Sequence, residues 1–240
     1  MILPKLNRIT YSLRLPSNDK EIVFRPFTVE EEKILLTAQE STESADILRA
    51  MRQIINNCVQ TEINVMKLPT FDIEYFFLNI RAKSTGEEIE LLLKHPMETN
   101  SKGEQCEYKE KAKISIEDIK VSKPENTNNK FQLDENVGVF MRYPTIESVA
   151  VQADDDFDAF IKLIANCIET IYDKEGTYNP EDVSNEELIK FVYSMNQNQI
   201  GQIQEFFDNM PVLTHTVNYI CSQCGCKEKV TIEGFQNFFL

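Results

Sequence analysis

Apolar and polar positions along the chain switch repeatedly between a period of two and a period near 3.6. Ile9-Thr10-Tyr11-Ser12-Leu13-Arg14-Leu15 alternates, as does Glu21-Ile22-Val23-Phe24-Arg25, with a turn cluster at Pro16–Lys20 between them. Residues 8–27 therefore read as a β-hairpin. Thr28-Val29-Glu30-Glu31 is a capping box, in which the Glu31 carboxylate can reach back to the Thr28 N–H. It opens a helix carrying Ile34, Leu35 and Ala38. A second helix, capped by Thr42 or Ser44, repeats Ile47, Leu48, Met51, Ile54, Ile55, Cys58 and Val59 at steps of three and four. A third starts after Leu68-Pro69-Thr70 and turns Ile73, Phe76, Phe77 and Ile80 inward. Strands at 88–93 and 109–121 then flank a polar loop over 95–107.

The second half repeats this order. A strand at 137–143 leads into Arg142-Tyr143-Pro144-Thr145, an echo of Arg25-Pro26-Phe27-Thr28. The following helix carries Phe157, Phe160, Ile161, Ile164, Ile168 and Ile171, and its Asn166-Cys167-Ile168 echoes Asn57-Cys58-Val59. Ser184-Asn185-Glu186-Glu187 is another capping box, a further helix spans about 197–209, and Pro211 ends it. Strands at 214–220 and 227–232 close the chain, with Lys229–Glu233 echoing Lys113–Glu117. The echoes lie 109 to 117 residues apart in one order. The expected fold class is therefore α+β, with two tandem pseudo-repeats of a short β-element, a helix cluster and a β-hairpin. The first repeat covers 1–121, a linker 122–130, and the second repeat 131–240, ending in a zinc-ribbon-like hairpin.

Charge narrows the function. The chain has 25 basic and 39 acidic residues, a net charge of −14, which argues against nucleic acid or an anionic membrane as partner. Residues 1–120 carry 17 basic and 20 acidic side chains and residues 121–240 carry 8 and 19, so the second half holds most of the excess. No apolar run is long enough to span a membrane, and Met1–Lys5 lacks the apolar core of a signal peptide, so a reducing cytosol is expected. Seven glycines and two histidines leave little for phosphate loops or His-based catalysis. No dinucleotide or nucleotide-phosphate motif occurs, and no catalytic residue is proposed.

Cys221-Ser222-Gln223-Cys224-Gly225-Cys226 is the sharpest motif. A CxxC in a turn with a following glycine resembles half a zinc ribbon. Two readings stand. One is a structural zinc site with Cys221, Cys224 and Cys226 as ligands and Cys106 or His215 as the fourth; the other is a hairpin turn with free thiols. His95, in the polar loop, and His215, at a strand start, read as solvated or hydrogen-bonded. The acidic run Asp154-Asp155-Asp156 lacks the calcium-loop pattern and suits a helix N-terminus. The apolar chain end supplies Phe235, Phe238 and Phe239, which either dock on the protein's own core or anchor a partner.

The run Glu21 to Leu36, then Ala38-Gln39-Glu40-Ser41, resembles the opening of the T-even-type phage baseplate hub assembly proteins. So do Ile55–Cys58, Leu68–Phe77, Arg81–Glu87, Cys221–Gly225, and Gly234-Phe235 with Phe238-Phe239. Related sequences often carry cysteine pairs in the hairpin corresponding to 91–108; this chain keeps only Cys106, with His95 upstream, which weighs against a metal site in that copy. The resemblance implies a non-enzymatic chaperone that helps assemble the hub of a contractile tail's baseplate. Its implied partners are hub and other tail proteins, in the cytoplasm of an infected bacterium. Alternative readings are a structural subunit retained in the virion baseplate and a small zinc-binding adaptor.

Overall fold

A computed structural model describes residues 6–39, 44–95, 98–123, 128–149 and 156–238. The chain is α+β, with antiparallel sheets throughout. It divides into two compact units: Met1–Ile63, Phe71–Ser122 and Val212–Leu240 form the first, Asn64–Thr70 and Lys123–Pro211 the second. Among the described residues, no helix is long and apolar enough to cross a membrane.

The first unit starts with the hairpin β1 (Tyr11–Arg14) and β2 (Glu21–Phe24), paired Leu13 to Ile22. Helices α1 (Val29–Gln39), α2 (Ser44–Cys58) and α3 (Thr70–Thr85) follow. The α2 pattern resolves as the periodicity requires: Met51, Ile54, Ile55 and Cys58 are buried, while Gln53, Asn56 and Asn57 are exposed. Burying each such side chain contributes about 1.5–3 kcal/mol. On α3, Phe76 and Phe77 are both buried, although adjacent helical positions diverge by about 100°, so this helix is enclosed on more than one face. Asp72 is also buried, its carboxylate accepting from the Ser17 N–H (3.0 Å) and hydroxyl. Two further hairpins complete the unit. One pairs β3 (Glu88–Lys94) with β4 (Lys109–Ser115); the other pairs β10 (Leu213–Ile220) with β11 (Lys227–Glu233), with β5 (Lys120–Val121) added along β10.

The second unit is a four-stranded sheet in the order β6 (Lys130–Gln132), β7 (Gly138–Met141), β8 (Ile168–Tyr172) and β9 (Thr177–Tyr178). Helices α4 (Ile146–Val149), α5 (Asp156–Cys167), α6 (Asn185–Tyr193) and α7 (Gln197–Asp208) accompany it. Val139, Met141, Ile161, Ile164, Ile168, Leu188, Val192, Ile203 and Phe206 make its core. The capping box expected at Ser184 is complete, with both the Ser184 and Glu187 side chains engaged.

Several elements differ from the sequence expectation. Ile168 and Ile171 are strand rather than helix, because Ile168–Tyr172 pairs with β7. The strand expected over 109–121 breaks at a 3₁₀ turn, Ile116–Asp118, where the Ser115 side chain accepts from the Glu117 N–H. Of the expected linker, Ser122 bonds to Val212, Lys130 opens β6, and residues 124–127 lie outside the described residues. The segment 131–240 is not one compact body: Val212–Leu240 group with the first unit, held by β10–β5 pairing and by the Phe235 ring against Phe77 at 5.8 Å.

The two halves nevertheless share a local device. The Arg25 N–H donates to the Cys58 carbonyl (3.0 Å), and the Arg142 N–H donates to the Cys167 carbonyl (2.8 Å). Beside them, Phe24 bridges Val59 and Met141 pairs with Ile168. In each half the end of a helix thus returns to the strand that precedes the helices.

Candidate metal centre

The centre grows out of the ends of the two long hairpins of the first unit. His95 follows the last residue of β3. The chain then folds into a small ladder in which Thr99 bridges Gln105. Buried Asn100 organises it: its Oδ1 accepts from the N–H groups of Lys102 and Glu104, each at 3.0 Å, and its own N–H donates to the Glu104 carbonyl at 2.8 Å. This is the local competition of an Asn side chain with regular structure, used here to make a tight turn. Gly103 takes a positive φ of 81°, as the turn requires. The Cys106 N–H donates to the Glu98 carbonyl (2.7 Å), which sets Cys106 across the ladder.

In the other hairpin, the Cys221 N–H donates to the Cys226 carbonyl (3.0 Å) and the Gly225 N–H to the Cys221 carbonyl (2.9 Å). Gly225 has a φ of +68°, which an L side chain adopts at a cost. The result is a closed knuckle bearing Cys221 and Cys224. Two contacts hold the hairpin tips together: the Ser101 N–H to Glu228 Oε1 (2.8 Å) and the Ser222 N–H to Glu110 Oε2 (2.7 Å).

His95, Cys106, Cys221 and Cys224 converge. One ligand atom from each lies within 4.8 Å of all the others. Cys106 Sγ is 3.9 Å from Cys221 Sγ, and Cys224 Sγ is 3.7 Å from His95 Nε2. The first three side chains are buried and Cys224 is half-buried. The other ring nitrogen of His95, Nδ1, faces the Glu228 carboxylate at 3.4 Å without an aligned hydrogen bond. The N–H of Cys226 leads the effects that bring the Cys224 thiol down to about 6, favouring the thiolate. All six cysteines are free, so the thiols are not spent in disulfides. This donor set could hold a metal ion, and among the described residues no other cluster of His, Cys, Asp and Glu side chains does so.

The structure places the sequence candidates unevenly. Cys221, Cys224 and Cys106 come together. Cys226 is buried beside them but its Sγ points at the Cys224 carbonyl (3.9 Å), and burial raises its pKa. His215 sits on β10 with Nδ1 3.2 Å from the Asp118 carbonyl, apart from the cluster. His95, expected to be solvated or hydrogen-bonded, is not solvated: it is 1% exposed and stands in the cluster with Nε2 on Cys224 Sγ. The available signal was its place in the same polar loop as Cys106. Phe235 and Phe238 are packed inside the first unit, at 7% and 2% exposure, and Phe239 lies outside the described residues. Asp154 and Asp155 also lie outside them, and Asp158 pairs with Lys162 at 2.6 Å.

Neither a curated protein nor a solved structure matches the chain. The family described as T4 bacteriophage base plate protein matches residues 7–240, which takes in both halves, the knuckle and the loop of His95 and Cys106. A match across nearly the whole sequence means that this chain belongs to the T4 bacteriophage base plate protein family.

Proposed function

We propose that this protein is a non-enzymatic assembly factor that binds subunits of the baseplate hub while a contractile phage tail is being built. The observation that carries the reading is membership of the base plate family over residues 7–240, which gives the chain a structural or assembly role in the baseplate. Its surface suits a binding role. Leu36, Phe157 and Ile220 are exposed at 57%, 62% and 60%, apolar surface that contact with a partner would cover. A net charge of −14 steers encounter with basic partners and opposes self-association. On this reading the protein works in the cytoplasm of the infected host and leaves before the particle is complete.

The same reading takes the sequence as a tandem duplication, with copies over 1–121 and 131–240 joined by 122–130, in which the closing hairpin of the second copy has come to pack within the first compact unit. The matched Arg25–Cys58 and Arg142–Cys167 backbone bonds support it, since they recur at the positions where the sequence echoes.

Quantitative mass spectrometry of infected-cell lysate and of purified mature particles tests the assembly role. The chain should be abundant in lysate and depleted at least tenfold, relative to baseplate subunits, in particles. Retention at a fixed stoichiometry in particles would replace this reading with that of a structural subunit.

A further inference from the structure

We infer that His95, through Nε2, with Cys106, Cys221 and Cys224 binds one Zn²⁺, and that this ion is a structural pin between the β3–β4 and β10–β11 hairpins. The inference stands apart from the choice of baseplate partner.

Geometry is the first support. A tetrahedral zinc with Zn–S of about 2.3 Å and Zn–N of about 2.0 Å sets S···S edges of roughly 3.8 Å and S···N edges of roughly 3.5 Å. The Cys106–Cys221 and Cys224–His95 separations are 3.9 and 3.7 Å. No pair of ligand atoms exceeds 4.8 Å, so the longest edge need shorten by only about 1 Å.

Chemistry is the second. Three thiols and an imidazole are the soft-to-borderline donors that zinc selects over calcium or magnesium. Four protein ligands close the coordination sphere and leave no position for substrate water, so the ion is structural rather than catalytic. A metal also fits the burial of His95: an ion on Nε2 fixes the ring proton on Nδ1, the nitrogen that has no aligned hydrogen bond in the structure. A ligating imidazole turns its second nitrogen to a carboxylate or carbonyl, and Glu228 stands 3.4 Å from Nδ1. Glu228 is thus a positioning residue; it is fixed in turn by the Ser101 N–H.

The site's place in the sequence gives the ion its consequence. Cys106 and Cys221 are 115 residues apart, so one ion closes a very long loop. Closure of that loop is where a cross-link gains most against the unfolded chain.

The test uses the full-length chain purified under reducing conditions from zinc-supplemented cells. Elemental analysis should give about one zinc per chain, and X-ray absorption should give three sulfur and one nitrogen neighbours. Cobalt(II) exchanged into the site should show the visible bands of a tetrahedral thiolate complex. Cys226→Ser and His215→Ala should keep the zinc, and Glu228→Gln should weaken its binding by about 10–100-fold. Cys106→Ser and Cys224→Ser should lose it; should either fail to fold, the absorption measurement on the unaltered protein still decides the ligand set. Absence of both zinc and cobalt binding, a four-sulfur shell that enlists Cys226, or a Cys106–Cys221 disulfide in the reduced preparation would each overturn the inference.

Discussion

Replacing Glu31 by Gln should cost the fold about 3 kcal/mol at neutral pH, and the loss should vanish in acid. Glu31 is buried at the start of α1 and its carboxylate accepts four hydrogen bonds. Two come from the Arg25 guanidinium at 2.8 and 3.2 Å, and two from the N–H and hydroxyl of Thr28 at 2.8 and 2.7 Å. The Arg25 bond is the main reason its pKa falls from 4.5 to about 2, with burial opposing. That difference, at about 1.4 kcal/mol per unit, corresponds to about 3 kcal/mol of folding free energy. A depressed folded pKa stabilises fully above the unfolded value, and the gain is lost as pH falls from about 4.5 through about 2. Glutamine keeps the shape but removes the charge and leaves Arg25, whose side chain is 11% exposed, without its counter-ion. The chain has no Trp, so urea unfolding is best followed by far-ultraviolet circular dichroism at a series of pH values. The stability difference between the two proteins should be near 3 kcal/mol at pH 7 and shrink towards zero near pH 2. A loss below about 1 kcal/mol at pH 7, or a difference independent of pH, would refute the assignment of this pair as a main support of the first unit. The double variant Arg25→Met with Glu31→Leu should recover most of the loss, since apolar replacement of a whole buried pair is often neutral.

In the second unit, Gly138→Ala should destabilise by about 1–3 kcal/mol in urea titration, because an added Cβ would overlap the Tyr172 hydroxyl and lie 2.8 Å from the Phe131 carbonyl. Tyr172→Ala in the same chain should relieve part of that loss. Ser184→Ala removes one side of a complete capping box and should cost about 1 kcal/mol. A strong zinc chelator should lower the unfolding midpoint of the parent chain by several degrees and leave a Cys224→Ser variant, already without metal, unmoved.

Much of the fold was legible where local signals agree. The α2 face, the Ser184 box and both long hairpins follow from spacing and turn chemistry alone, and each appears at its expected place. Errors arose where tertiary pairing overrode a local pattern. Ile164, Ile168 and Ile171 satisfy a helical period, yet Ile-Glu-Thr-Ile is β-branched and finds β7 as partner. β6 was hidden because a three-residue strand has no periodicity to read. At the candidate centre, CxxC and its closing glycine were visible in sequence, but periodicity does not say which loop will face them. That the loop carrying His95 and Cys106 does so depends on Glu228 and Glu110 receiving the backbone of the opposite tips, contacts made across more than a hundred residues. The same limit applies to Phe235: an apolar chain end looks alike whether it docks on Phe77 or on a partner.

The most direct measurement is affinity capture of the tagged full-length chain from cells undergoing phage infection, with the captured proteins identified and quantified by mass spectrometry. The account predicts enrichment of baseplate hub proteins over other phage and host proteins, from the period of tail assembly onward. Recovery of a host metabolic complex as sole partner, with no tail protein above background, would contradict it.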